Sequence, residues 1–334
     1  MATIRDVAKL AGVSISTVSL SLSNPNKVSE KTLKRIREAI SAVGYVVDPV
    51  AQSLARGSSR MIGFVVGNIG NPFFGEIRRE IEDYALKHNY FLLAVESSGI
   101  MEREQELVRH LAGLKVAGLV IAPSGNGSEY INFLHQLKMP VVSFDQKVTG
   151  MEYDFVGSDN FNASSMLTEH LLQLGHKRIG FIKGPDQMHT AIERYRGYTS
   201  TLASADIDID SSLVVNGQYT RDIGYEAATK LMLQRNPPTA ILGANNVVSL
   251  SALQVIQELG LKCPDDISLA MIDDEQWSEL ITPRLTMVVQ DTKRLGNIIA
   301  ERLISRINDS NNEIPVQDFV LDSKFIIGNS CRKF

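Results

Sequence analysis

Residues 3–22 read TIRDVAKLAGVSISTVSLSL, and this stretch decides what kind of domain opens the chain. Thr3 and Asp6 have the spacing of a capping box at the start of a first helix. Gly12 is placed to end that helix, and Ser14 is placed to cap a second one. Two short helices joined by a glycine turn predict a helix-turn-helix unit, whose second helix enters the major groove of DNA.

The residues that follow add a third helix and a positive charge. Ser29 is placed to cap a helix whose apolar positions, Ile36 among them, share one face, and Gly44 is placed to end it. Arg35 is predicted to lie on the outer, solvated face. Residues 1–60 contain nine Lys or Arg against four Asp or Glu, a balance of +5, whereas the whole chain carries −4. A basic segment at the start of an acidic chain suits contact with DNA phosphates.

The rest of the 334-residue chain alternates strand-length apolar runs with amphipathic helices. This alternation predicts parallel sheets with right-handed crossovers, and the number of runs favours two similar lobes over one sheet. The last predicted strand is the run 319–325. No apolar run approaches the roughly 20 residues of a membrane span, and the chain starts with a capped helix rather than an apolar signal sequence. We therefore expect a cytoplasmic protein.

Motifs of catalysis and metal binding do not assemble in this sequence. There is no GxxxxGK phosphate loop, no GxSxG elbow and no HExxH, and the six histidines share no common motif. Cys263 and Cys331 lack metal-type spacing, so we expect reduced thiols. The sequence therefore predicts no catalytic site, no cofactor and no metal.

Several motifs, in their order along the chain, resemble the lactose-repressor and galactose-repressor family of bacterial transcription regulators, and the resemblance covers essentially the whole chain. They are TIRDVAKLAGVSISTVS, DPVAQSLARG, IGFVVGNIGNPFFGEI, GLVIAPS, LLQLGHKRIGFIKGP, ERYRGY and ITPRLT. The resemblance implies an N-terminal all-α helix-turn-helix domain and an α/β core of two lobes with parallel sheets, like a periplasmic binding protein. It also implies three crossovers between the lobes, near Asp159, Gln290 and Leu321.

The same resemblance divides the chain into a head, a hinge and an effector-binding, dimerising core. The expected boundaries are 1–46 for the head, 47–60 for the hinge and its linker, and 61–334 for the core, with lobe 1 at about 61–159 and 291–320 and lobe 2 at about 160–290 and 321–330. In the hinge, Asp48 can cap, Pro49 suits the first helical position, and Gly57 can end a helix of one or two turns. Such a short helix is expected to order only when DNA and a partner subunit pack against it.

The candidate DNA contacts lie in the head and the hinge. A hinge leucine of the family wedges into the minor groove, and Leu54 matches it; the alternative is a flexible linker with an incidental leucine. The family often has Arg where this chain has Leu20, so we expect thymine-methyl and weak hydroxyl contacts from the reading positions, and an operator that differs from the family's commonest ones. The full set of candidates is Thr3, Ser14, Ile15, Ser16, Thr17, Ser19, Leu20, Asn24, Ala51 and Leu54.

The resemblance places a small effector in the cleft between the lobes. It implies aromatic platforms, two carboxylates that accept hydrogen bonds from hydroxyls, and an arginine, Arg194, that grips the ligand. The full set of candidates is Phe73, Phe74, Ser124, Asp145, Thr190, Arg194, Tyr219, Asn245, Asp273 and Trp277. Local capping is the alternative role for Ser124 and Thr190, and a core position is the alternative for Trp277. Asn246 stands where the family commonly has Asp, which alters a lobe-closing contact or its surroundings.

These observations predict a homodimeric repressor that binds palindromic double-stranded operator DNA under the control of a sugar or sugar derivative. Three alternatives stay open. One is an activator, or a corepressor-dependent repressor, with the same fold. Another is a sugar-binding transport receptor, which would need a signal peptide in place of the basic head. The third is an enzyme of sugar metabolism on a doubly wound fold.

Overall fold

The structure, a computed structural model, describes most of the chain, in two separate units. The described residues are 2–45, 59–150, 152–273, 280–309, 311 and 313–334. The units are Met1–Arg60 and Met61–Phe334. The predicted hinge helix, with Ala51 and Leu54, and the candidate Trp277 lie outside the described residues.

The first unit is a head of three helices around a small apolar core. The helices are α1 (Ile4–Ala11), α2 (Ile15–Ser23) and α3 (Glu30–Val43), with a 3-10 turn at Pro25–Lys27. The capping box of Thr3 and Asp6 forms as predicted, and Ser14 caps α2. Gly12 and Gly44 both adopt left-handed conformations with φ of 63°, as expected for residues that end helices.

Arg35 has a role that the sequence did not predict. It is exposed, as expected, but its guanidinium donates to the carbonyl oxygen of Ala11 and, at 3.4 Å, to that of Gly12. Carbonyls at the end of a helix lack partners within the helix and favour a nearby cation. Arg35 therefore ties α3 to the end of α1.

The second unit contains two six-stranded sheets, one in each lobe. The strands of lobe 1 are β1 (Met61–Val66), β2 (Phe91–Glu96), β3 (Gly118–Ile121), β4 (Val141–Phe144), β5 (Asp154–Ser158) and β11 (Asp318–Leu321). They lie in the order β11-β5-β4-β3-β1-β2 and are all parallel. The helices of lobe 1 are α4 (Pro72–Lys87), α5 (Met101–Gly113), α6 (Ser128–His135) and α11 (Thr292–Asn308). Helices α4 and α11 cover one face of the sheet, and α5 and α6 the other.

Lobe 2 repeats this architecture. Its strands are β6 (Ile179–Lys183), β7 (Val214–Asn216), β8 (Ala240–Gly243), β9 (Ser268–Ile272), β10 (Thr286–Val289) and β12 (Lys324–Ile326). They lie in the order β12-β10-β9-β8-β6-β7, and β12 alone is antiparallel. The helices are α7 (Asn160–Gln173), α8 (His189–Ser204), α9 (Arg221–Met232) and α10 (Asn246–Glu258). Helices α7 and α8 cover one face, and α9 and α10 the other. The predicted fold class is confirmed.

In the part of the chain that the structure describes, the chain passes between the lobes three times, after β5, after β10 and after β11. The single strand predicted at 319–325 is wrong. The run splits into β11 and β12, which belong to different sheets, because the chain crosses from lobe 1 to lobe 2 at Asp322 and Ser323. None of the helices in the described ranges is long and apolar enough to cross a membrane.

The two cysteines are free thiols, as predicted, and they lie in one neighbourhood of lobe 2. Cys331 Sγ donates to the carbonyl oxygen of Leu269 at 3.3 Å, and Cys263 Sγ donates to that of Ser330 at 3.4 Å. Burial raises the pKa of Cys263 to about 12. A thiol so rarely ionised is a poor nucleophile and metal ligand, which fits a structural role.

Helices α7 and α8 approach so closely that only glycine fits between them at position 197. A Cβ on Gly197 would lie 2.2 Å from the carbonyl oxygen of Phe161 and 3.0 Å from Cβ of Ser164. Both neighbours belong to α7, and the first is backbone, so neither atom can be displaced cheaply. This close contact fixes the position of α8, which carries Arg194.

We predict that Gly197→Ala lowers the free energy of unfolding by about 1–3 kcal/mol, because the added methyl overpacks the α7–α8 contact. Gly113→Ala is the matched control: Gly113 ends α5, and a Cβ there would meet nothing within 4 Å. This control should be neutral or stabilising by up to about 1 kcal/mol, because alanine favours helix more than glycine does. Urea unfolding followed by circular dichroism measures both, and equal midpoints would contradict the packing argument.

Candidate functional site

Helix α2 presents a mixed apolar and hydroxyl face to solvent. Ile15 is 44% exposed and Leu20 is 38% exposed. Ser16 and Ser19 are exposed on the same helix. Val18, which points the other way, is fully buried in the core of the head. The exposed surface of the second helix therefore offers mainly methyl groups and short hydroxyls.

Several hydroxyls among the candidate DNA contacts already serve the fold of the head. Ser14 Oγ accepts a hydrogen bond from the backbone N–H of Thr17 at 3.1 Å and lies 2.8 Å from Oγ1 of the same residue. Thr3 Oγ1 donates to Asp6 at 2.7 Å. Asn24 is exposed and follows the last residue of α2. The side chains of Thr3 and Ser14 thus define the starts of α1 and α2, whatever else they contact.

A cavity of about 350 Å³ lies between the two lobes. Its wall forms where parallel strands of both sheets end, the usual place for ligands in open α/β folds. Nine of the ten candidate effector residues line it: Phe73, Phe74, Ser124, Asp145, Thr190, Arg194, Tyr219, Asn245 and Asp273. Sequence reasoning missed other polar lining residues, among them Asn68, Asn71, Glu96, Gln146 and Gln218.

Five lining residues other than glycine have left-handed backbone conformations. The φ angles are 56° at Ser98, 60° at Asp145, 52° at Gln218, 55° at Tyr219 and 73° at Asp273. Such conformations cost residues other than glycine on the order of 1 kcal/mol or more, and they concentrate at functional sites. Each lies at the end of a strand or within three residues of it. The strained turns therefore set the direction of the side chains that form the wall.

Arg194 is the central cation of the wall and is only 2% exposed. Its Nε donates to Oδ1 of Asn160 at 2.7 Å, and its Nη1 donates to the carbonyl oxygen of Ala244 at 2.5 Å. Nη1 also lies 3.7 Å from Oδ2 of Asp273. These contacts fix the plane of the guanidinium and provide the opposite charge that a buried cation requires.

The ring of Tyr219 packs beside this guanidinium, 6.0 Å from Cζ of Arg194 to the ring centre. A Cβ on Gly184 would lie 2.2 Å from the ring, so glycine is required there for the ring to take this position. The hydroxyl of Tyr219 is buried, where it interacts with Thr190 and Arg194.

Asp145 follows β4, and its carboxyl group lies in the cavity wall of lobe 1. Its pKa is raised to about 6: burial is the main cause, the charge of Arg194 and a hydrogen bond from Gln146 oppose the rise, and the charge of Asp273 adds to it. That bond joins Nε2 of Gln146 to Oδ2 of Asp145 at 2.8 Å. The charge of Asp145 therefore changes near neutral pH.

Uncharged side chains join the lobes beside the cavity. Nε2 of Gln146 in lobe 1 donates to Oγ1 of Thr190 in lobe 2 at 2.8 Å. The amides of Asn71 and Asn246 form a reciprocal pair with N···O distances of 3.3 and 3.1 Å. Asn246 stands where the family that this sequence resembles commonly has aspartate. In the structure, this asparagine forms a contact between the lobes.

Ser124 lies in front of a buried carboxyl group that the sequence did not reveal. Glu104 is fully buried in α5 and accepts the hydroxyl hydrogen of Ser124 at 2.7 Å, as well as its backbone N–H at 3.0 and 3.1 Å. The hydroxyl of Tyr130 also donates to Glu104. Burial raises the pKa of Glu104, although these hydrogen bonds oppose the rise. Hydrogen bonds to Glu104 thus hold Ser124 in the cavity wall.

Comparisons with known proteins agree with this arrangement. Residues 3–48 match the family model described as "Bacterial regulatory proteins, lacI family", and residues 168–331 match a periplasmic binding protein-like domain. The HTH-type transcriptional repressor PurR of Aliivibrio salmonicida is 31% identical over 314 residues, which cover 94% of each chain. This chain belongs to the lacI family.

Solved structures give the same result for the fold. The transcriptional regulator CelR in complex with cellobiose superposes with a TM-score of 0.74 at 25% identity, over 99% of this chain and 100% of that one. The lac repressor dimer bound to operator and the anti-inducer ONPF gives a TM-score of 0.86 at 24% identity, over 99% of both chains. At that identity, the second likeness shows the fold alone.

We predict that Asp145 makes stability fall as pH rises from 5 to 7. Because its pKa is about 6 in the folded chain against a reference value of 3.8, the folded state binds more protons than the unfolded state between those values. This favours folding at low pH, and the advantage is lost as pH rises through 6. The loss between pH 5 and 7 amounts to about 1 kcal/mol.

The comparison of variants isolates this contribution. Urea unfolding of Asp145→Asn at pH 5 and pH 7 should lack that part of the pH dependence. Asp208→Asn, at an exposed loop position, should retain it. An Asp145→Asn protein with the pH dependence of the unaltered chain would refute the assignment.

Proposed function

We propose that this protein is a transcriptional repressor whose affinity for operator DNA is controlled by a small sugar-like effector bound between its lobes. The observation that carries the proposal is one chain with a helix-turn-helix head and a cavity lined by aromatic rings, carboxylates and an arginine. The relatives named as PurR repressors favour repression over activation. An activator, or a repressor that needs a corepressor, remains the alternative reading of the same parts.

The cavity suits a sugar-like molecule on chemical grounds. Rings such as Phe73, Phe74 and Tyr219 pack against C–H faces, and Asp145 and Asp273 accept hydrogen bonds from hydroxyls. The volume of about 350 Å³ fits a small ligand. The CelR complex with cellobiose adds support from a related fold.

We propose further that two copies of the chain bind one palindromic operator. A two-fold dimer matches a two-fold DNA site, and the spacing of its heads sets the spacing of the half-sites. In this proposal the hinge at 47–60 orders on DNA and Leu54 enters the minor groove, with Ala51 beside it. The protein acts in the cytoplasm on nucleoid DNA, and it regulates transcription rather than catalysing a reaction.

Operator selection tests the proposal directly. The full-length protein should enrich two-fold symmetric sequences from a random duplex library, and its affinity for them should fall steeply with salt because phosphate contacts release counterions. Cellobiose and a sugar library should then be screened for compounds that change operator affinity by about 5- to 150-fold, the usual range of allosteric coupling. Enrichment of no symmetric sequence would contradict the dimeric operator-binding role.

Cavity variants should separate effector response from DNA binding. Arg194→Ala should abolish the response to a screened sugar while retaining operator binding. Because this change leaves Asp273 without its cation, Phe74→Leu serves as a milder second variant. It should weaken the binding of the sugar at least tenfold. Fluorescence anisotropy with labelled operator measures both effects. An unchanged response in both variants would place the effector elsewhere.

We predict that operator reading depends on thymine methyl groups. Ile15 and Leu20 are exposed on the reading face and offer apolar contact to the C5-methyl of thymine. Replacing thymine by uracil in the selected half-site should weaken binding about 5- to 100-fold, whereas the same replacement in flanking DNA should not. Ile15→Ala and Leu20→Ala should each reduce this sensitivity. Equal binding to both duplexes would exclude methyl readout.

A further inference from the structure

The cavity wall carries an excess of negative charge. Across the described ranges, three carboxylates line it, those of Glu96, Asp145 and Asp273, whereas Arg194 is the single lining cation among these residues. Glu96, at the end of β2, and Asp145, after β4, belong to lobe 1, whereas Asp273, after β9, belongs to lobe 2. A ligand that bridges the lobes therefore meets carboxylates on each side.

The charge of Arg194 is already balanced by the protein. Its Nη1 lies 3.7 Å from Oδ2 of Asp273, and its Nε and Nη1 donate to Asn160 and to the backbone of Ala244. Because this ion pair already offsets its charge, Arg194 attracts an anionic ligand less strongly than an unpaired guanidinium would. Among the described residues, neither Glu96 nor Asp145 forms such an ion pair with a lining cation, although the charge of Arg194 acts on Asp145 and lowers its pKa.

Glu96 and Ser124, both in lobe 1, offer hydrogen-bond acceptors to a ligand. Glu96 accepts from the backbone N–H of Ile69 at 2.8 Å and keeps further acceptor capacity. Ser124 gives its hydroxyl hydrogen to Glu104, so its oxygen retains only acceptor capacity for a ligand. The nearby cation Arg103 is exposed and reaches Ser98 Oγ at 3.0 Å, without lining the cavity.

We infer that the cavity selects an uncharged polyol rich in hydroxyl donors and discriminates against phosphate esters and carboxylic acids of the same compound. The inference rests on the proposed function, in which a sugar-like effector binds this cavity. An anionic substituent would face Glu96 or Asp145 at short range, where like charges repel and the cavity restricts hydration. Hydroxyl groups would instead donate to those carboxylates.

The test uses matched compounds on the full-length protein. D-glucose is paired with glucose 6-phosphate and glucuronate, and cellobiose with cellobiose 6-phosphate, because each partner keeps the ring closed and adds the charge outside it. Thermal shift ranks the compounds, and calorimetry at pH 7.5 gives dissociation constants. We expect stabilisation from at least one uncharged member and at least 100-fold weaker binding of its anionic partner. An anionic partner that binds as tightly, or a panel in which no uncharged member binds, would overturn the inference.

A charge-removing variant tests the cause. In Glu96→Gln, the ratio of the dissociation constant of the anionic compound to that of the uncharged one should fall at least fivefold. The variant removes one negative charge and keeps the shape of the side chain. Glu106→Gln is the control, since Glu106 is 72% exposed on α5, outside the cavity lining. An unchanged preference in Glu96→Gln would count against the inference.

Operator binding distinguishes this inference from the proposed function. A phosphate ester that binds more tightly than its parent sugar and changes operator affinity would overturn the charge preference and leave effector control intact. A protein that binds the uncharged sugars with no change in operator affinity would support the charge preference and contradict effector control.

Discussion

A buried guanidinium is the constraint on which the architecture of the cavity depends. Arg194 is removed from water, so the fold must provide it with acceptors and a counter-charge. These come from three separate parts of lobe 2: Asn160 at the start of α7, Ala244 at the end of β8, and Asp273 at the end of β9. The close packing at Gly197 holds the helix that carries the arginine. Three segments of lobe 2 thus converge on one charge and fix its position in the cavity wall.

Local signals predicted the head well. Helix starts and stops depend on residues three or four positions apart, so Thr3, Ser14, Ser29 and the glycine ends could be read from the sequence. The role of Arg35 could not, because its carbonyl partners lie 23 and 24 residues earlier in the chain. Its spacing on α3 resembles that of any solvated basic residue.

In the core, too, features that depend on local sequence could be predicted, whereas features that depend on packing between distant segments could not. The resemblance to a known family, which rests on short local motifs, indicated nine residues that line one cavity. Glu104 was missed because it lies in a charged helix whose other acidic residues face solvent, and only the packing of α5 against the sheet buries it. The run at 319–325 was taken as one strand because its apolar pattern continues, whereas the split depends on which sheet each half pairs with.

The contacts that join the lobes beside the cavity are amide and hydroxyl groups: Gln146 with Thr190, and Asn71 with Asn246. Hydrogen bonds between neutral groups are not screened by salt, whereas contacts between basic side chains and DNA are. A rise in potassium concentration would therefore weaken the binding of the head to DNA while leaving these contacts nearly unchanged. The two ends of one molecule would thus respond differently to the same change in salt.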